Sequence, residues 1–201
     1  MKLLVLFTTI VSMILAGCDS TTLLPSDEET SYTITTIAGS GAEDDEGKPA
    51  TEAFLTSPRG VAVDDPGNVY IADTENHRVR KVDADSGVIT TIAGTGEEGY
   101  GGDDGPAAEA KLNWPTGVAV DDAGSVYIAD RNNERIRRVD PEGIITTFAG
   151  TGEWGYDSDE DGGPATLAQL DEPKGIEVDE DGNVYFADSE NNRIRKLTPN
   201  R

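Results

Sequence analysis

Cysteine is almost missing from this chain: Cys18 is the only one in 201 residues. No intramolecular disulfide and no cysteine-built metal centre can therefore form. Positive charge is scarce too. Sixteen Lys and Arg stand against 39 Asp and Glu, a formal net charge of −23. A surface of that sign repels phosphate backbones and argues against nucleic acid as a partner; it suits solubility, a cation-rich setting or a basic ligand. No Gly-x-Ser-x-Gly motif or other activated serine arrangement is present, so the sequence offers no catalytic residue for acyl transfer. Long apolar runs are also lacking. The most apolar stretch, Leu3 to Leu15, is broken by Thr8, Thr9 and Ser12 and is too short to span a bilayer as a helix.

That stretch follows Lys2 and ends Leu15-Ala16-Gly17-Cys18. A positive start, a short apolar run and small residues before a cysteine make an export signal, and the ending resembles the lipobox of bacterial lipoproteins. The resemblance implies a signal peptide over residues 1–17, cleavage before Cys18 and acylation of its thiol. The protein would then be held on the extracytoplasmic side of a bacterial membrane by its lipid alone. An ordinary secretory signal with a chance cysteine is the alternative. Asp19 resembles the enterobacterial signal for inner-membrane retention; that rule is not general, so the choice of membrane stays open. Residues 18–31 read as the lipidated cysteine and a flexible polar tether, and residues 32–201 as the folded domain.

Glycine (23) and proline (10) are plentiful, which fits many tight turns. They punctuate a repeat. Pro58, Pro115 and Pro173 open three copies of one text, running over about 58–94, 115–150 and 173–197. In the first copy Val61-Ala-Val63, Val69-Tyr-Ile-Ala72, Arg78-Val-Arg-Lys-Val82 and Ile89-Thr-Thr-Ile92 are β-rich segments separated by Asp- and Gly-rich turns. A period of this length holding four short strands predicts an all-β propeller whose blades are four-stranded antiparallel sheets.

The pattern Pro-x-Gly-Val-Ala-Val-Asp, then Gly-x-Val-Tyr-Ile-Ala-Asp-x-x-Asn-x-Arg-Ile-Arg, resembles the NHL repeat. The resemblance covers about Ile34 to Leu197. It implies a β-propeller, most often six-bladed, used as a scaffold for binding protein, RNA or peptide, with a minority of enzymes. Related propeller lyases depend on several histidine ligands, and His77 is the only histidine here. A calcium-dependent, lactonase-like hydrolase is the enzyme reading that survives.

Strand directions put the turns between second and third strands on the same face as the three long connectors, 39–57, 94–114 and 150–172. Long loops on a rigid scaffold are where binding sits. The expected ligand is a protein or peptide, a basic one by charge, with carbohydrate as a second choice. On this face Asp73 with Arg78, Asp130 with Arg135, and Asp188 with Arg193 each bracket a turn and are expected to pair by charge-assisted hydrogen bonds. The role is structural if the pair merely closes each turn, and functional if the ring of polar groups holds a ligand. Tyr100, Trp114, Trp154 and Tyr156 either stack on a ligand or pack the connectors. Asp157, Asp159 and Asp161 alternate before Gly162 as in the first half of a calcium loop, although position twelve is Ala168 rather than glutamate; a solvated acidic loop is the alternative.

Three blades are half of a six-bladed ring or an incomplete propeller. The segment Ile34-Thr-Thr-Ile-Ala-Gly39 repeats the text of a fourth strand ahead of the first blade. It is expected to be the outer strand that closes the last blade. A homodimer of three plus three blades in which each N-terminal strand completes the last blade of the other chain, a fragment of a longer protein, or an open assembly would each account for it.

Overall fold

The computed structural model describes residues 32–41, 46–157 and 161–199. The signal segment, Cys18, the tether and Asp159 lie outside the described residues. Thr36–Arg201 make up one compact unit; of the preceding Met1–Thr35, the described residues 32–35 carry no regular structure.

Each repeat becomes a sheet because valine, isoleucine and tyrosine alternate with residues that need the opposite face. In the first blade β1 (Pro58–Val63), β2 (Val69–Asp73), β3 (Arg78–Val82) and β4 (Ile89–Ala93) pair antiparallel in chain order. A two-residue strand, β5 (Gly105–Pro106), comes from the following connector. In the second blade β6 (Pro115–Val120), β7 (Val126–Asp130), β8 (Arg135–Val139) and β9 (Ile144–Ala149) repeat the order, and β5 adds outside β9. In the third blade β10 (Pro173–Val178), β11 (Val184–Asp188) and β12 (Arg193–Leu197) form a sheet of three strands.

The tight turn from first to second strand has one design throughout. Asp64 accepts the Asn68 N–H at 2.7 Å and the Tyr70 hydroxyl at 3.0 Å. Asp121 does the same with Ser125 and Tyr127, and Asp179 with Asn183 and Tyr185. The aspartate thus supplies the acceptor that the turn backbone lacks. Burial, then the Asp64 hydrogen bond, push the Tyr70 phenol up to about 12.

Both faces of a blade are covered where a neighbour exists, so the strands read as nearly continuous apolar runs. Tyr70, Ala72, Val79 and Ala93 of the first blade meet Leu112, Val118, Ile128 and Ile145 of the second. Tyr127, Ala129, Ile136 and Ala149 of the second meet Ala168, Leu170, Ile176 and Phe186 of the third. Ile71, Val82 and Ile89 form a further cluster with Ala50 and Ala53 of the first connector.

Within the single chain the segment ahead of the first blade stays unpaired as a strand. Residues 32–37 form no strand, and Ile34–Gly39 does not complete the third blade. The Gly39 N–H is bonded to the Ala50 carbonyl at 2.9 Å, which fixes the end of that segment at the first blade. The second blade stands between it and the third.

Candidate binding face

The turns and connectors meet on one face because each blade carries an aspartate that ties them together. Asp73, Asp130 and Asp188 end the second strands and are fully buried. One carboxylate oxygen accepts a connector N–H: Thr56 at 2.8 Å, Asn113 at 2.7 Å and Asp171 at 2.7 Å. The other accepts the amide of the turn asparagine, from Asn76 at 2.8 Å, Asn133 at 2.8 Å and Asn191 at 3.0 Å. Asn133 and Asn191 also donate to the connector carbonyls of Gly99 and Gly155, both at 2.7 Å.

The arginine partner differs from the expected one. Asp73 and Arg78, Asp130 and Arg135, and Asp188 and Arg193 are Cα partners across the ladder. The charges that approach the aspartates, however, are Arg80 at 3.9 Å, Arg137 at 3.4 Å and Arg195 at 3.2 Å, two residues further on. The directly opposite arginine sits at the rim and reaches outward to backbone carbonyls: Arg78 to Thr95 at 3.0 Å, Arg135 to Asn133 at 2.8 Å, Arg193 to Asn191 at 2.6 Å. The diagonal one shares the same side of the strand, and its long stem spans the offset back to the aspartate.

A second carboxylate arrives from the connector. Glu46 approaches Arg80 at 3.5 Å, Asp103 approaches Arg137 at 2.6 Å and Asp161 approaches Arg195 at 3.1 Å. Each deep guanidinium is therefore held between two acids, one from its own blade and one from the connector. The Arg80 and Arg137 side chains are 1% and 0% exposed. A cation that dry requires such compensation, since an unpartnered buried charge costs several kcal/mol, about 3–5 in measured cases.

This arrangement settles where the sequence-selected aromatic and acidic residues go. Tyr100 lies under the Arg135 guanidinium at 3.8 Å and donates to Asp103 at 2.8 Å; Tyr156 lies under Arg193 at 3.5 Å and donates to Asp161 at 3.2 Å. Both tyrosines pack connectors onto blades. Trp114 is half-buried, with its N–H on His77 Nδ1 at 3.3 Å. Asp161 is the counterpart of Asp103 and accepts from Arg195 as Asp103 does from Arg137. Asp157 is exposed, and Asp159 is outside the described residues. Among the described residues, no three His, Cys, Asp or Glu side chains are grouped to hold a metal ion.

Three acids carry raised pKa values; in Asp171 the causes are burial and then the charges of Glu190, Asp188 and Glu172. Burial pushes Asp130 up to about 6, against the pull of its donors Asn113, Asn133 and Arg137. Burial, with the charges of Asp171 and Glu172, pushes Glu134 up to about 7 against the bond from the Glu172 N–H. Asp103 goes the other way: burial opposes its charge, but bonds from Thr147 and Tyr100 and the Arg137 charge hold it below the usual range.

Sequence reasoning passed over Arg80, Arg137 and Arg195, although the Arg-x-Arg spacing of every third strand marks them. It also passed over Glu134, whose repeat counterpart is His77. Of the aromatic residues singled out in the sequence, Trp154 is the most exposed, at 77% against 46% for Tyr100.

A family model described as NHL repeat matches residues 55–82 and 170–197, and one described as Teneurin NHL domain matches residues 95–159. The chain is 33% identical over 161 residues to Protein SUPPRESSOR OF QUENCHING 1, chloroplastic, of Arabidopsis thaliana, covering 76% of this chain and 15% of that protein. It is 31% identical over 191 residues to human NHL repeat-containing protein 2, covering 89% of this chain and 26% of that one. The chain thus spans 15% and 26% of these two relatives' length. Among solved structures, an auxiliary nutrient binding protein from Bacteroides thetaiotaomicron is similar with a TM-score of 0.57 and 27% identity, over 68% of this chain and 36% of that chain.

Proposed function

The chain belongs to the NHL-repeat family, and from that premise we propose that it is a propeller scaffold that binds a protein or peptide through its connector face. The lipobox-like sequence at Cys18 supports display at a bacterial cell envelope through a lipid anchor. The observation that carries the binding reading is Trp154. Its counterpart in the preceding connector is Glu98, and both positions make the same bridge, Glu98 to Leu112 and Trp154 to Leu170. The fold therefore does not need an indole there. A bare tryptophan on a rigid loop is the residue type that most often anchors an interface.

The net charge of −23 favours a ligand with basic groups beside an apolar one. The test is calorimetric titration of the full chain with a lysine- and leucine-rich decapeptide. Trp154→Ala should weaken binding by about thirtyfold, equivalent to about 2 kcal/mol for an interface anchor. Added salt should weaken it as well. Equal binding by wild type and Trp154→Ala would remove the reading.

A second reading has its own support. An exposed indole stacks on a sugar, and the similar Bacteroides structure is of a nutrient binding protein. Salt-independent binding of a neutral oligosaccharide would select it. Ester or lactone hydrolysis that needs calcium and is lost in Asp159→Ala would instead select a calcium-dependent hydrolase.

A further inference from the structure

The third blade ends in an open groove of about 700 Å³. Ile194 to Pro199 form one wall, Gly162 to Ala165 the other, and Phe148 and Leu170 lie between them. In the second blade the equivalent walls are separated by one strand. There β9 pairs on one edge with β8, matching Val139 with Ile145, Arg138 with Thr146, Arg137 with Thr147 and Ile136 with Ala149. On its other edge it pairs with Gly105 and Pro106. The first blade has the same ladder between Val82 and Ile89, Lys81 and Thr90, and Arg80 and Thr91, with Pro49 bridging to Val88 outside it.

The strands in those two places read Ile-Thr-Thr-Ile-Ala-Gly at 89–94 and Ile-Thr-Thr-Phe-Ala-Gly at 145–150. The third such text in the chain is Ile34-Thr-Thr-Ile-Ala-Gly39, which is identical to the first. Ile34 is 99% exposed, whereas Ile89 and Ile145 are fully buried. One groove lacks its strand, and one strand lacks its groove.

We propose that the Tyr32–Gly39 segment of a second copy of this chain fills the groove of the third blade, so that two copies exchange strands and close on each other. The register follows from the complete blades. Ile34 lies opposite Leu197 and against Gly163, Thr35 opposite Lys196, Thr36 opposite Arg195, and Ala38 opposite Ile194. The Thr36 hydroxyl meets Asp161 as the Thr147 hydroxyl meets Asp103, at 2.7 Å.

The position of Gly39 favours a second copy over the third blade of the same chain. It bonds to Ala50 as Gly94 bonds to Ala107 and Gly150 to Ala165. In the latter two cases the strand leading into the glycine belongs to the blade before. The segment therefore enters from a blade that precedes the first, and a second chain's third blade supplies it.

The end faces agree. Val61 of the first blade and Ile194 of the third are exposed, while their counterparts Val118 and Ile136 in the second blade are buried; Val63 is exposed where Val120 is half-buried. An interblade bond is divided in the same way. His77 accepts the backbone N–H of Trp114 and Glu134 accepts that of Glu172; among the described residues no blade follows Asn192, and none precedes Ser57, the counterpart of Trp114 and Glu172.

The test uses the full chain with Cys18→Ser, so that introduced thiols stand alone, and with Thr35→Cys plus Lys196→Cys. Mild oxidation should give a disulfide-linked two-chain band, absent from either single-cysteine variant. A single-chain band, with thiols free or joined within one chain, would overturn the proposal. Should the double variant fail to fold, a labelled peptide of residues 32–41 is titrated into Ile34→Asp, whose own segment cannot compete. Saturable binding supports the proposal, and none overturns it. Trp154→Ala should leave the cross-link unchanged, so failure of the ligand reading and failure of strand exchange are read separately.

Discussion

The second and third blades are built from almost the same words and end in different states. In the second, Ile136 and Arg137 are sealed, β9 lies between β8 and β5, and both faces are covered. In the third, Ile194 and Arg195 occupy the same ladder positions, yet Ile194 is 76% exposed and the sheet stops at β12. The difference is not one of strand propensity, since Arg135-Ile-Arg137 and Arg193-Ile-Arg195 match. It lies in what neighbours each strand. A propeller blade cannot cover itself; its stability is a nearest-neighbour property, as in other repeat proteins.

That comparison can be broken most forcefully at the arginines. Arg137→Ala should cost about 3–5 kcal/mol in urea unfolding, because it strands two carboxylates in a dry site. Arg195→Ala should cost clearly less in the isolated chain, where its side chain is 12% exposed. Equal losses at the two positions would erase the distinction between a closed and an open blade.

Next come the isoleucines. Ile136→Ala should cost about 2–5 kcal/mol as a core truncation. Ile194→Ala should change stability by no more than ~0.5 kcal/mol in dilute solution, as surface changes do. A penalty at Ile194 that grows with protein concentration would show that its face becomes buried on association.

Much of this was legible beforehand. Periodic valines and isoleucines, the Asp–Gly turns and the three prolines give the blades and their direction, because each feature is local. The shared face of turns and connectors follows from strand alternation alone. The arginine clamp was not legible. Arg137 and Asp103 are 34 residues apart, and nothing local links them. Choosing Arg80 over Arg78 as the partner of Asp73 needs the depth of each side chain between blades, which only packing defines. In the alternation at Asp157–Asp161 the pairing of Asp161 with Arg195 is nonlocal and was equally hidden. Tyr100 and Tyr156 could not be told from ligand-binding aromatics without the guanidinium planes stacked on them.

A smaller effect concerns pH and sharpens the contrast between the second blade and its neighbours. Folding raises the carboxyls of Asp130 and Glu134 to about 6 and about 7. Their protonated forms are thus favoured in the fold. The stability they contribute is present below the unfolded carboxylate values, near 4, and is lost as pH rises toward 7. Unfolding midpoints measured from pH 4 to 8 should fall over that window, and Glu134→Gln should flatten the decline between pH 5 and 7. An unchanged slope would dismiss Glu134 as its source.

The smallest expected effect is at Glu177, which stands in the third blade where Ala62 and Ala119 stand in the others. Both alanines pack between blades. Glu177→Ala should tighten association of two chains a few-fold in sedimentation, since a buried carboxylate without a partner is costly. Weaker association would mean that this face stays wet.

The most direct measurement is the solution mass of the chain by light scattering over a range of concentrations, beside the same chain carrying Ile34→Asp. Completion of each third blade by a second copy predicts a mass of two chains for the first and of one folded chain for the second. A single-chain mass for both at every concentration would contradict it.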